Sequence, residues 1–312
     1  MKTHRLHHLR GSMVALVTPF REGRIDEEAF TALCERQIRS GSTALVPCGT
    51  TGEAPTLTHQ EQSRLIELAV RAAKGRVPVV AGAGSNCTAT TIAMVAEAER
   101  LGADAVLCIA PYYNRPSQEG LFRHFEAVQA STTLPVILYD VPKRTGIALE
   151  LDTIVRLSRL PNIVGLKDAS GDLARAGRLR HSVGREFLRL CGDDGMLPEF
   201  LALGCQGCIS VTANVAPALC ASLHNAWAVH DRSRFQQVAA LLDGLNRALF
   251  AESNPVPVKW ALARLGLIQG DLRLPLTPLD ERHREPLLRA VQAVLPAEAV
   301  AGRGDAYPAA AE

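Results

Sequence analysis

A short apolar run followed by a helix-length amphipathic segment recurs through the chain, and this repetition constrains the fold more than any other feature of the sequence. The apolar pattern predicts strands at Met13–Phe20, Thr43–Cys48, Val77–Ala81, Asp104–Ala110, Pro135–Tyr139, Asn162–Lys167, Phe187–Cys191 and Gly207–Val211. Helical segments at 26–40, 58–74, 88–101, 117–131, 150–159, 171–181 and 194–203 separate them, the first capped by Asp26. Alternation of this kind without hairpin signals demands parallel pairing, and eight units are the number that close a (β/α)8 barrel. An open doubly wound sheet is the competing arrangement. Beyond Val211 only helical pattern remains, at about 215–230, 231–250, 255–266 and 280–294, too much for the eighth barrel helix alone. The expected organisation is therefore a flexible leader over residues 1–12, an α/β barrel of the TIM type over 13–225, a C-terminal helical segment over 226–296 and a disordered tail over 297–312.

Charge and composition remove several classes of function. Lys and Arg number 34 against 32 Asp and Glu, a net charge of +2, so nothing favours a nucleic acid or an anionic membrane as partner. No run approaches the ~20 apolar residues of a membrane span. The eight cysteines lie mostly inside apolar runs and read as reduced, buried thiols, consistent with a cytoplasmic protein. Cys205-Gln206-Gly207-Cys208 has no second pair to complete a metal site, and Gly82-Ala83-Gly84 lacks the third glycine of a dinucleotide fingerprint.

In a parallel barrel the site forms at the carboxyl ends of the strands, and the chemically unusual residues fall there. Strand parity puts Ile163, Gly165 and Lys167 on one face and Val164, Leu166 and Asp168 on the other, so the adjacent acid faces away from the amine. Gly165 is expected to leave open space beneath that amine. Lys167 is then a catalytic amine or a solvated lysine at a strand terminus. Gly49-Thr50-Thr51-Gly52-Glu53 follows the second strand, where two hydroxyls and backbone N–H groups can converge on a small carboxylate or simply make a tight turn. Three of the four tyrosines, Tyr112, Tyr113 and Tyr139, lie at two other strand ends, where a phenol can pack or shuttle protons.

Gly49 to Glu53, Pro111 to Pro116, Tyr139 to Gly146, Gly165 to Ala169, Gly192 to Asp194 and Ile209 to Asn214 occur in an order and spacing that resemble the dihydrodipicolinate synthase family, within the pyruvate-dependent class I aldolases that include N-acetylneuraminate lyase. The resemblance spans about Gly11 to Pro278. It implies a (β/α)8 barrel, a homotetramer built as a dimer of dimers, and condensation of pyruvate with L-aspartate 4-semialdehyde to 4-hydroxytetrahydrodipicolinate, without metal or organic cofactor. It assigns Lys167 as the Schiff-base lysine and Tyr139, Thr50 and a neighbouring protomer's Tyr113 as the proton relay. Thr50 and Thr51 are implied to hold the pyruvate carboxylate, Arg144 the semialdehyde carboxylate, and Gly192 and Ile209 the floor.

Asp140 and Asp168 depart from the asparagine and glutamate usual in the family, at positions of opposite parity to the catalytic ones. The family's lysine effector site corresponds to Ala54, His59, Gln62, Asn86, Thr90 and Tyr112, and Thr90 stands where a glutamate would hold the effector's amine. Little or no feedback by lysine is expected. The main alternative function is a sibling aldolase or dehydratase acting on a 2-keto-3-deoxy sugar acid. Arg144 and the Tyr112-Tyr113 pair argue against it. A catalytically silent binding barrel would be expected to lack the lysine or the tyrosine, and both are present.

Overall fold

The computed structural model describes residues 9–304. Its strands are β1 (Gly11–Ala15), β2 (Phe20–Arg21), β3 (Arg24–Ile25), β4 (Ala44–Val46), β5 (Val80–Gly82), β6 (Ala105–Ile109), β7 (Val136–Asp140), β8 (Ile163–Asp168), β9 (Leu188–Cys191) and β10 (Gly207–Ser210). Eight of them form one parallel sheet in the order β4-β1-β10-β9-β8-β7-β6-β5. Its two ends meet through a parallel bridge between Leu45 and Val79 and through bonds from Leu45 N to Pro78 O and Gly82 N to Pro47 O. All eight expected strands are present and the barrel reading holds. The short antiparallel hairpin β2–β3 was not expected. Glu22 and Gly23 both take positive φ, the backbone that a two-residue hairpin turn needs.

Strand alternation sorts the apolar side chains into two layers. Met13, Val46, Leu107, Ile137, Leu190 and Ile209 point into the barrel, while Val14, Leu45, Val106, Leu138 and Leu166 face the helices. Each such residue contributes about 1.5–3 kcal/mol by burial. In β8 the alternation is interrupted. Val136 of β7 pairs with Ile163 but Ile137 pairs with Gly165, which makes Val164 an inserted residue. Ile163 consequently packs in the outer layer and Val164 against the inner one, the reverse of strict parity. Register is regular from Gly165 onward, so Lys167 and Asp168 keep their expected opposite faces.

The helix Pro217–Ala228 packs on β1, and the helices Arg232–Ala248 and Glu281–Gly304 pack on it in turn. Two boundaries differ from expectation. Strand β1 begins at Gly11, inside the expected leader, while residues 1–8 lie outside the described residues. Residues 297–304 are helical rather than a disordered tail. Alanine favours helix, and the Glu298 carboxylate accepts bonds from Ala218 N (2.9 Å) and Leu219 N (2.8 Å), which fastens that stretch onto the N-terminus of the helix Pro217–Ala228. Residues 305–312 lie outside the described residues. Among the described residues no helix is long and apolar enough to cross a membrane.

Candidate active site

Tyr139 on β7 and Lys167 on β8 are partners in register, and both side chains enter the barrel near its carboxyl end. The Lys167 amine stands 4.2 Å from the centroid of the Tyr139 ring, within cation–π range. Lys167 is 6% exposed and, among the described residues, forms no ion pair. Gly192, just after β9, is shaped by this lysine. A Cβ there would lie 2.8 Å from Ala169 Cβ and 3.0 Å from Lys167 Cε, so a side chain would crowd both Ala169 and the lysine stem. Gly165 behaves differently from expectation. A Cβ at Gly165 would stand 2.6 Å from both Cβ and O of Leu188, so the glycine permits close approach of β9 and leaves no open space under the amine.

The next residue on each strand faces outward. Arg175, on the helix Leu173–Ser182, bonds Asp140 at 2.6 Å and Asp168 at 2.8 Å, and also donates to Leu149 O. Burial pulls the Arg175 guanidinium down, and the two carboxylates outweigh it and hold it above its ordinary value. Burial pushes the Asp140 carboxyl up against the pull of Arg175. Asp140 and Asp168 therefore serve a buried ion-pair cluster behind the strands and do not face the amine.

The loop Gly49–Glu53 is held from several sides. Cys48 and Glu53 flank it with left-handed backbone (φ 58 and 55), a conformation costing about 1–3 kcal/mol for a non-glycine residue and sustained only by surrounding contacts. Those contacts are the Thr18 hydroxyl donating to Gly52 O (2.7 Å), Asn254 Nδ2 donating to Thr51 Oγ1 (2.9 Å), and a fully buried Lys259–Glu53 pair at 2.5 Å. Burial lowers the Lys259 amine from its ordinary value, against the raising influence of Glu53. Arg144 lies on the single helical turn Pro142–Thr145 after β7, and its Nη2 donates to Asn254 O at 2.9 Å. Ile209 is buried in the inner layer on β10. Thr50, Thr51, Tyr139, Arg144, Lys167, Gly192 and Ile209 thus lie toward one end of the barrel. Tyr113 does not join them within this chain. It is 89% exposed with φ 69, and its backbone N–H reaches Thr145 O.

A cleft of about 270 Å³ opens beside Thr50 and Tyr139 and runs past Ala54, Gln62, Thr90 and Tyr112 without meeting a carboxylate. Among the described residues no group of three or more His, Cys, Asp or Glu is arranged to hold a metal ion. Cys205 and Cys208 are buried, and burial pushes the Cys205 thiol up to about 12. The residues that sequence reasoning missed are Asn254, Lys259 and Arg175. Nothing local in the sequence signals the bond of Asn254 to Thr51, 203 positions away.

These features define a (β/α)8-barrel protein whose mouth carries an amine beside a phenol. The model of the "Dihydrodipicolinate synthetase family" matches residues 8–294. The 4-hydroxy-tetrahydrodipicolinate synthase of Phenylobacterium zucineum is 52% identical over 283 residues, covering 91% of this chain and 96% of that protein. A crystal structure of the chloride-inhibited dihydrodipicolinate synthase of Acinetobacter baumannii, complexed with pyruvate, superposes with a TM-score of 0.89 at 44% identity, covering 91% of this chain and 98% of that one. A monomeric dihydrodipicolinate synthase variant superposes at 0.90 with 37% identity, covering 92% and 97%. The chain belongs to the dihydrodipicolinate synthase family.

Proposed function

We propose that this protein is a lyase that condenses pyruvate with L-aspartate 4-semialdehyde through a Schiff base on Lys167, giving 4-hydroxytetrahydrodipicolinate for lysine and diaminopimelate synthesis. The observation that carries this reading is the buried Lys167 amine, without an ion pair among the described residues, beside the Tyr139 phenol and against the glycine surface of Gly192. The neutral form of an amine is the form that attacks a ketone. Thr50 and Thr51 receive the pyruvate carboxylate, and Ile209 and Gly192 form the floor. Attack on the keto carbon gives a carbinolamine, which loses water as Tyr139 donates a proton to the departing hydroxyl. The proton is recovered through Thr50 and a neighbouring protomer's Tyr113. Loss of a methyl proton from the iminium gives an enamine whose carbon adds to the aldehyde. The semialdehyde's own amine then closes the ring and releases Lys167. Arg144 receives the semialdehyde carboxylate, for which a planar guanidinium fork is suited.

The exposure of Tyr113 on a left-handed backbone supports its use by a second copy of the chain, and the assembly is proposed as a homotetramer built from two such dimers. The related monomeric variant indicates that assembly varies within the family. The place of action is proposed as the cytoplasm. Steady-state rates with pyruvate and a panel of aldehydes test the substrate assignment. The semialdehyde is expected to be turned over fastest, and equal or faster turnover of sugar-acid aldehydes would assign the chain to a sibling aldolase instead.

A further inference from the structure

Asn254 lies in the segment between the helices Arg232–Ala248 and Val256–Arg264, outside the barrel, yet it touches both groups proposed to receive carboxylates. Its side-chain Nδ2 donates to Thr51 Oγ1 at 2.9 Å, and its backbone O accepts from Arg144 Nη2 at 2.9 Å. The residue is 7% exposed and its Oδ1 has no hydrogen-bond partner among the described residues. A buried amide whose oxygen meets no partner is costly, so its presence calls for a reason beyond filling space. The direction of the Thr51 bond supplies one. A hydroxyl that accepts from an amide N–H keeps its own O–H free to donate elsewhere. With Asn254 in place, the proton of Thr51 can turn toward a carboxylate in the pocket. The guanidinium of Arg144, exposed at the mouth on one turn of helix, is steadied through the backbone of the same residue.

We infer that Asn254 is a positioning residue that orients the Thr51 hydroxyl as a donor toward the first substrate's carboxylate through its side chain, and fixes the Arg144 fork for the second substrate's carboxylate through its backbone. This rests on the function proposed above. The two halves separate by chemistry, because a side-chain substitution alters the first and leaves the second carbonyl in place.

Asn254→Asp is the sharpest variant, since it keeps shape and size but replaces a donor by an acceptor. The Thr51 proton would turn to the new carboxylate and present lone pairs to pyruvate. The KM for pyruvate is expected to rise about tenfold or more, and about three- to fivefold in Asn254→Ala, while the KM for the semialdehyde moves less than about threefold in either. In a Thr51→Val background the same changes at Asn254 are expected to leave the pyruvate KM unaltered, which a general loosening of the fold would not produce. Borohydride trapping of pyruvate on Lys167 is run alongside. Normal trapping in the unsubstituted protein with a pyruvate KM within twofold in Asn254→Asp, or with both KM values rising together, overturns this inference alone. Absence of trapping in the unsubstituted protein overturns the functional reading beneath it as well.

Discussion

Strands β7 and β8 present opposite electrostatics on their two faces. Toward the helices, Asp140 and Asp168 share the single guanidinium of Arg175 in a buried cluster. Toward the barrel, one residue earlier on each strand, Tyr139 faces the Lys167 amine, which forms no ion pair among the described residues. The outer face uses charge for structure, whereas the inner face sets an amine beside a phenol with no carboxylate paired to it among the described residues. A lysine paired as Arg175 is paired would be a poor nucleophile, because a nearby anion stabilises the protonated amine. The contrast teaches that the acids adjacent in sequence to the reactive pair are directed away from it by strand parity and given their own partner.

Substitutions on the two faces should separate activity from stability. Lys167→Ala is expected to lower kcat by about 10³-fold or more while changing unfolding free energy by about 1 kcal/mol or less, as read by steady-state kinetics and denaturant titration. Equal stability losses on the two faces would break the comparison. Arg175→Leu leaves Asp140 and Asp168 buried without a cation and is expected to destabilise the fold by about 3–5 kcal/mol, with partial recovery when Asp140→Asn is added.

A second test concerns buried groups that take no part in the mouth. Burial lowers His124 and His224 to about 4, so both are neutral in the fold. Their folded values lie below the ordinary value near 6.5, which means the unfolded chain binds more protons between the two. Their contribution is complete above about pH 6.5 and is lost as the pH falls toward 4, on the order of 2–3 kcal/mol each. Melting temperature should fall across that window, and His124→Gln should shallow the fall. The smallest effect concerns regulation. The cleft past Ala54, Gln62 and Thr90 offers no carboxylate to an ammonium group, so millimolar lysine should lower the initial rate by less than about twofold, and strong inhibition at sub-millimolar lysine would refute this.

The strand ends were legible because short apolar runs and helical periods alternate, and because Lys167, Tyr139 and the Gly49–Glu53 loop then fall at the same end of the barrel. The bulge at Val164 was not, since an inserted residue in an apolar run leaves the pattern unchanged. Gly165 was misread as open space for a related reason. Sequence shows a missing side chain but not that Leu188 fills its place. The contacts of Asn254 with Thr51 and of Lys259 with Glu53 join residues more than 200 positions apart, and no local periodicity carries such pairings. The helix through residues 297–304 was hidden by an Ala- and Gly-rich composition, and only Glu298 at the start of another helix shows why it is ordered.

The central claim, that the inner-face amine is the nucleophile, is tested most directly by reducing the protein with borohydride in the presence of pyruvate and mapping the modified peptide by mass. The account predicts a single reduced pyruvyl adduct on Lys167, absent when pyruvate is omitted. An unmodified Lys167, or an adduct on another lysine, would contradict it.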